Sequence, residues 1–159
     1  MKTIILTQSQ STIVDDDFEY LNNFKWRAMK QKHTFYACRT IKSEGRNKTV
    51  LMHRIILNIP KGMEGDHVDG NGLNNQKTNL RTATVSQNRG NHVRKNPNST
   101  SKFKGVSWNS RHKKWVATIQ INKNPIWLGT HINEFDAAKI YDAAAIKYFK
   151  EFASPNFPV

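Results

Sequence analysis

The first half of the chain alternates short runs of β-branched and aromatic residues with polar turns, a pattern that predicts short strands. Such runs occupy residues 3–6, 25–28, 35–41 and 49–52. Three acidic residues, Asp15 to Asp17, precede apolar side chains at three-residue spacing, namely Phe18, Leu21 and Phe24. This spacing predicts a helical turn with negative charge at its positive end. Residues 53–58 fit a strand and a short helix equally well.

The second half of the chain predicts a three-stranded antiparallel sheet packed on one helix. Strand patterns cover residues 105–108, 115–121 and 126–128, and small or aromatic side chains then recur at helical spacing up to Tyr148, after a capping Asn133. Because side chains alternate across a strand, Trp115 and Val106 should face the helix, with Trp108 beside them. The opposite face of the sheet is then polar.

The stretch from residue 89 to residue 102 separates these two patterns. It is rich in turn formers and basic residues and nearly empty of apolar side chains, which is typical of a linker. A chain of 159 residues can hold two small modules. We therefore predict an α+β protein with a β-rich module at residues 1–90, a basic linker at 91–101 and a sheet-and-helix module at 102–159.

Charge points to a polyanionic partner. The chain carries 25 basic and 12 acidic residues, a net charge of +13, and the interval from Asp69 to Glu134 holds eleven basic residues and no acidic one between its ends. The alternative is a solvated basic face that only keeps the protein in solution. No apolar run is long enough for a membrane span or a signal peptide. The single Cys38 excludes an internal disulfide and a multi-cysteine zinc site.

A candidate site lies in the Gly/Asn-rich segment around residue 67. His67 ends a strand pattern there, and a neutral imidazole can take a proton from water near pH 7. Asp66 and Asn88 offer oxygen ligands suited to one hard ion, Mg²⁺ or Mn²⁺, with room left for phosphate oxygens and water. Thr84 with a Gln three residues later fits a capping box, which would place Asn88 in the first turn of a helix. Asn79 is better suited to hold the loop or orient the imidazole than to contact substrate.

This segment resembles the HNH nucleases, in particular the His-Asn-Asn variant of phage and intron homing endonucleases, over roughly residues 50–92. Twelve positions separate His67 from Asn79, and nine separate Asn79 from Asn88. The resemblance implies a ββα-metal module in which His67 is the general base, Asp66 and Asn88 hold one divalent ion, and Asn79 is the structural asparagine. The alternatives are an Asn-rich turn with an incidental histidine and a catalytically inactive remnant. The residues that carry the resemblance are Asp66-His67, Asp69-Gly70-Asn71, Asn74-Asn75, Asn79-Leu80-Arg81 and Asn88.

Residues 102–158 resemble the plant APETALA/ethylene-response-factor DNA-binding domain. The matching residues include Phe103-Lys104-Gly105-Val106, Trp127-Leu128-Gly129-Thr130, Ala137-Ala138, Tyr141-Asp142 and Asn156-Phe157-Pro158. Several positions that hold Arg in plants hold Ser, Asn, Thr or Gln here, so recognition of the plant GC-rich element is not implied. By this resemblance the DNA-facing residues are Lys104, Ser107, Asn109, Arg111, Thr118, Gln120 and Trp127. We add Lys113 and Lys114 at a turn, and Arg94 and Lys95 in the linker, as phosphate contacts.

Together these features predict a site-specific DNA endonuclease that hydrolyses phosphodiester bonds with a single divalent metal ion. The expected partner is double-stranded DNA, with no membrane and no small-molecule cofactor, and the expected state is a monomer or weak dimer. By resemblance it would work in the cytoplasm of a bacterial or phage-infected host cell. The alternative is a DNA-binding regulator that keeps an inactive HNH scaffold. RNA binding is disfavoured because the outward strand positions lack a cluster of stacking aromatics.

Overall fold

The computed structural model describes residues 1–31, 33–91 and 99–157 and is a mixed α+β fold with several small antiparallel sheets. The chain divides into two compact units, Met1–Thr84 and Val85–Val159. This boundary lies ahead of residue 90, where we predicted the first module to end. Arg94 and Lys95, the predicted linker contacts, lie outside the described residues. Among the helices of the described ranges, none is long and apolar enough to cross a membrane.

The first unit is built from three small antiparallel sheets. One pairs β1 with β2, one has the order β3-β4-β5, and one pairs β6 with β7. Of residues 53–58, which fit a strand and a helix equally well, the first four belong to a short helix, α1, that begins at Met52 and ends at Ile56. The β2 strand was not predicted. The elements are β1 (Lys2–Ile5), β2 (Ser11–Val14), a 3₁₀ helix (Asp16–Asn23), β3 (Arg27–Lys30), β4 (Phe35–Ser43), β5 (Arg46–Leu51), α1 (Met52–Ile56), β6 (Glu64–His67) and β7 (Leu80–Ala83).

The first hairpin of this unit, formed by β1 and β2, supports the loop between β6 and β7. Its inward side chains join a core that also contains Leu21 and Met52. Its edge pairs with the loop, because the Ile13 amide donates to the Leu73 carbonyl over 3.1 Å and the Asn75 amide donates to the Ile13 carbonyl over 2.9 Å. Residues about 60 positions apart in the sequence are therefore bonded through the main chain.

The second unit holds a three-stranded sheet and its helix, as the side-chain pattern predicts. The sheet order is β10-β9-β8, and every pair is antiparallel. Fully buried Ala117, Ala137 and Ala138 allow the helix to pack closely on the sheet. Asn133 caps this helix by accepting a hydrogen bond from the Phe135 amide. The elements are α2 (Val85–Asn91), β8 (Val106–Asn109), β9 (Lys114–Ile121), β10 (Asn124–His131) and α3 (Glu134–Phe149).

Two details of this unit differ from the predictions. Trp108 is 38% exposed and packs edge-on against Trp115 with ring centroids 5.0 Å apart, because it lies on the edge strand β8. It is therefore not a core residue. The end of the predicted linker is tied to the folded unit, since Ser101 donates to Glu134 and the Trp108 amide donates to Thr100.

Candidate active site

The β6–β7 hairpin places Asp66 and His67 side by side at the end of β6. In this hairpin Asp66 pairs with Arg81 and His67 pairs with Leu80. Both side chains are buried, at 4% and 5% exposure. Arg81 Nε donates to Asp66 Oδ2 over 2.7 Å, so one carboxylate oxygen takes part in an ion pair across the hairpin.

Two aromatic rings lie against the imidazole of His67. The rings of His53 and Tyr36 lie edge-on to it, with centroids 5.0 and 5.6 Å away, and also contact one another. Burial lowers the pKa of His67, although its hydrogen bond with Asn75 and the nearby carboxylates raise the pKa in part. The imidazole is therefore neutral at pH 7, the form in which it can accept a proton.

The same surroundings act on the two neighbouring rings. Burial lowers the pKa of His53 to about 3, with the charges of His67 and Arg54 acting in the same direction. Burial raises the pKa of Tyr36, and the Asp66 carboxylate adds to this shift. The carboxylate of Asp66 thus acts electrostatically on both Tyr36 and His67, which means that these groups share one environment.

A chain of buried hydrogen bonds runs away from the other side of His67. Nε2 of His67 lies 3.3 Å from Asn75 Oδ1, and Asn75 Nδ2 donates to Thr12 Oγ1 over 2.7 Å. Thr12 Oγ1 in turn donates to the Leu73 carbonyl over 2.6 Å. These hydrogen bonds link the imidazole to the first hairpin. Asn75 and Thr12 are almost completely inaccessible to solvent.

Asn79 and Asp69 brace the loop from inside. Asn79 Oδ1 accepts the Asp69 amide over 3.0 Å, and Asn79 Nδ2 donates to Asp69 Oδ1 over 2.9 Å and to the Asn74 carbonyl over 2.8 Å. Burial alone would raise the pKa of Asp69, but hydrogen bonds from Asn74, Asn71 and Asn79, together with His67, lower it below its ordinary value. Asp69 is therefore ionised, and its carboxylate accepts the hydrogen bonds that hold the loop together.

Of the two predicted metal ligands, Asp66 is the one in the first unit, and its carboxylate is of the kind that a hard cation prefers. Asp66 supplies a carboxylate with two oxygens, one of which accepts from Arg81, and such oxygens are the ligands that Mg²⁺ and Mn²⁺ prefer. Within the described ranges, no cluster of three or more His, Cys, Asp or Glu residues could hold a metal. Asn88, the other predicted ligand, lies on α2 in the second unit, and its role stays a prediction.

One face of the second unit carries most of the predicted DNA contacts. Cross-strand pairing sets Ser107 opposite Val116, Asn109 opposite Lys114, and Thr118 opposite Trp127. Because alternate residues of β9 share a face, these pairs and Gln120 line one side of the sheet, away from the buried Ala117 and Ile119. Trp127 is 66% exposed there, and Ser107, Arg111, Lys113, Lys114 and Gln120 are also exposed.

Lys104 has a different environment from the other predicted contacts. Its Nζ donates to the Gly90 carbonyl over 2.6 Å, and its main chain is bonded in both directions to the Asn156 side chain. Burial lowers the pKa of Lys104 to about 8, and the nearby Asp142 opposes that shift. A phosphate contact by Lys104 would require the ammonium group to exchange its bond with Gly90.

Sequence reasoning missed several members of the His67 environment. The sequence pattern assigns no role in the site to His53, Tyr36, Asn75 or Thr12. Asn75 belongs to the quoted motif and could have been singled out there. Thr12 carries no sequence signal, because its connection to His67 exists only in the folded chain.

Three known proteins are similar to parts of this chain. Protein 3.8 of Escherichia phage T7 is 45% identical over 62 residues, 38% of this chain and 50% of that protein. An uncharacterized HNH endonuclease of Acanthamoeba polyphaga mimivirus is 37% identical over 98 residues, 62% of this chain and 49% of that protein. An AP2/ERF and B3 domain-containing protein of Oryza sativa subsp. japonica is 39% identical over 59 residues, 37% of this chain and 16% of that protein. The chain spans about half the length of the first two relatives. No protein-family model matches it.

Proposed function

We propose that this protein is a metal-dependent endonuclease of double-stranded DNA, of the HNH type. The observation that carries the proposal is His67, a buried neutral imidazole beside the Asp66 carboxylate on a β-hairpin. The similarity to a mimivirus protein named as an HNH endonuclease supports it.

In the proposed reaction His67 acts as general base. It takes a proton from a water molecule whose oxygen forms a bond to phosphorus. The bond between phosphorus and a deoxyribose oxygen breaks, and that oxygen keeps the bonding electrons and takes a proton from solvent water. Burial favours this role because a neutral ring is ready to accept a proton at pH 7. Asp66 would hold the cation from the first unit, and the cation would supply positive charge to the phosphate and the departing oxygen. Asn79 keeps the loop in shape and does not contact substrate.

The exposed polar face of the second unit is the proposed DNA-reading surface. A narrow antiparallel sheet can enter a major groove, where Ser107, Thr118 and Gln120 would meet base edges and Lys113 and Lys114 would meet phosphates. The similarity to a rice protein named for AP2/ERF and B3 domains supports this role. More specifically, we propose a homing endonuclease of the phage or intron type.

A nicking assay on supercoiled plasmid tests the enzymatic proposal. We expect nicking with Mg²⁺ or Mn²⁺, its loss with a chelator, and a loss of at least about 100-fold in His67→Ala with DNA binding retained. His33→Ala, at an exposed histidine of the same unit, should cut like the wild type. If His67→Ala cuts as fast as the wild type, His67 is not the base. If the wild-type protein nicks the plasmid, mapping its cuts on random duplexes would define the target sequence.

The second candidate function is a DNA-binding regulator with an inactive HNH scaffold. It is favoured by the ion pair from Arg81 to Asp66, since a guanidinium at 2.7 Å competes with a cation for that carboxylate. Asp66→Asn keeps the shape and distinguishes the two functions. It should abolish metal-dependent nicking in an enzyme, whereas a regulator shows specific binding without cleavage in both forms.

The salt dependence of DNA binding tests the reading surface. Each phosphate contact adds about −0.9 to the slope of log affinity against log salt, and we expect a total slope steeper than about −4. The double variant Arg111→Ala/Lys114→Ala should make the slope shallower by about 2. The matched double variant Lys139→Ala/Lys147→Ala removes the same charge from exposed positions on α3 and should change it little. Equal slopes for the two double variants would exclude the strand face as the DNA surface.

A further inference from the structure

The hydrogen-bond chain behind His67 has a fixed direction, because it ends on a group that can only accept. Thr12 Oγ1 and the Leu73 carbonyl oxygen are 2.6 Å apart. Two oxygens at that distance need a hydrogen between them, and a carbonyl has none to give. The single proton of the Thr12 hydroxyl therefore points to Leu73.

This first step sets the orientation of the next group. With its proton committed, Thr12 Oγ1 can only accept from Asn75, over 2.7 Å. The amide atom of Asn75 that faces Thr12 is thus its NH₂ group, and the amide oxygen faces His67. Rotating the amide by half a turn would set two acceptor oxygens against each other at this distance.

The last step reaches the imidazole. Asn75 Oδ1 lies 3.3 Å from His67 Nε2, and an oxygen acceptor requires that Nε2 carry the hydrogen. In a neutral imidazole only one ring nitrogen is protonated, so the lone pair that can accept a proton is then on Nδ1. Asn75 is 0% and Thr12 is 1% exposed, so water has little access to exchange with these partners.

We propose that Thr12 and Asn75 are positioning residues that hold His67 as the Nε2–H tautomer and so make Nδ1 the nitrogen that accepts a proton. The role of Nδ1 in cleavage rests on the proposed function, whereas the tautomer does not. A hydroxyl on β2, outside the hairpin that carries the histidine, thereby selects which atom of the imidazole acts as base.

The test uses the full-length protein and a pair of matched variants. Thr12→Val keeps the shape of the side chain but removes the hydroxyl, whereas Thr12→Ser keeps the hydroxyl and loses a methyl group. Long-range ¹H–¹⁵N correlation spectra of the neutral imidazoles report which ring nitrogen is protonated. Comparison with His67→Gln assigns the His67 signal among the six histidines.

We expect the Nε2–H form in the wild type and in Thr12→Ser. In Thr12→Val the Asn75 amide loses its fixed orientation, so the Nδ1–H form should grow and plasmid nicking should fall about tenfold or more. Thr12→Ser should nick at close to the wild-type rate. A wild type with Nδ1–H, or a Thr12→Val protein whose tautomer is unchanged, would overturn the inference.

Failure of the proposed function would look different. A wild-type protein that shows the Nε2–H form, loses it in Thr12→Val and yet cuts no DNA supports the tautomer inference and refutes the nuclease. A mere folding defect in Thr12→Val would shift amide signals throughout the first unit. In that case Asn75→Ala is the deciding variant: it removes the amide that orients the ring, and an unchanged His67 tautomer in it would overturn the inference.

Discussion

His53 should make the first unit sensitive to mild acid. His53 is 5% exposed and its ring contacts those of Tyr36 and His67, with Arg54 next in the chain. Burial, together with the charges of His67 and Arg54, lowers its pKa to about 3, so the native protein keeps His53 neutral well below the pH at which an unfolded histidine is protonated. The informative perturbation is therefore a decrease in pH from 7 to 5 in the wild type and in His53→Phe.

The magnitude follows from proton linkage. Between the unfolded pKa of 6.5 and the folded pKa of about 3, only the unfolded chain binds the proton, so the free energy of unfolding decreases as the pH falls. Each pH unit in this window is worth about 1.4 kcal/mol, which gives about 2 kcal/mol at pH 5. His67, whose pKa is also lowered, adds a loss of the same sign. His53→Phe keeps a ring in place but removes its share of the loss.

Urea titrations at the two pH values measure this effect. Amide signals of buried residues in the first unit, such as Ala28 and Ala37, report on that unit alone. We expect the wild type to lose about 2 kcal/mol more between pH 7 and 5 than His53→Phe does. The control variant, His33→Phe at an exposed position, should behave like the wild type. Equal losses in the wild type and in His53→Phe would refute the assignment of a buried neutral imidazole.

Two further predictions concern the loop and the second unit. Asn79→Ala removes three hydrogen bonds and should lower the unfolding free energy of the first unit by about 2–3 kcal/mol in urea titrations. The control Asn71→Ala loses one exposed hydrogen bond and should lower it by less than about 1 kcal/mol. Equal losses in the two variants would refute the bracing role of Asn79. Gly105→Ala places a methyl group against the Tyr141 ring and should destabilise the second unit by about 3 kcal/mol or more in thermal melts. The control Gly45→Ala has a similar positive φ but open space around it, and it should destabilise the first unit by about 1 kcal/mol in the same assay. A similar cost at both glycines would show that the second unit can adjust around residue 105.

The elements that were predictable from sequence are those with a local cause. The alternation at residues 115–121 sets which side chains face the helix, and the cap at Asn133 starts that helix where expected. Residues 11–14 lacked this advantage: they follow a polar turn with positive φ at Gln8 and Ser9, and they become a strand because β1 lies opposite.

In the candidate site, too, the residues with a local sequence signal were predictable and those brought in by tertiary packing were not. Asp66, His67 and Asn79 could be named because they lie within one short motif, and the structure groups them on one hairpin and its loop. The ring of His53 and the hydroxyl of Thr12 come from other elements, and their relation to His67 depends on tertiary packing. Spacing along the chain carries no information about such contacts. The role of Asn88 and the DNA contacts of the second unit remain predictions.

Because the β1–β2 hairpin is bonded to the loop between β6 and β7, the His67 site cannot be transferred to another protein as that loop alone. A fragment cut to the nuclease-like motif alone, residues 50–92, would omit the main-chain partners at Ile13 and the hydroxyl of Thr12. Grafting the motif into another scaffold, or expressing it as a minimal peptide, would leave Asn75 without its anchor. Any transplant that aims to preserve the imidazole geometry must therefore carry the opening fourteen residues along with it.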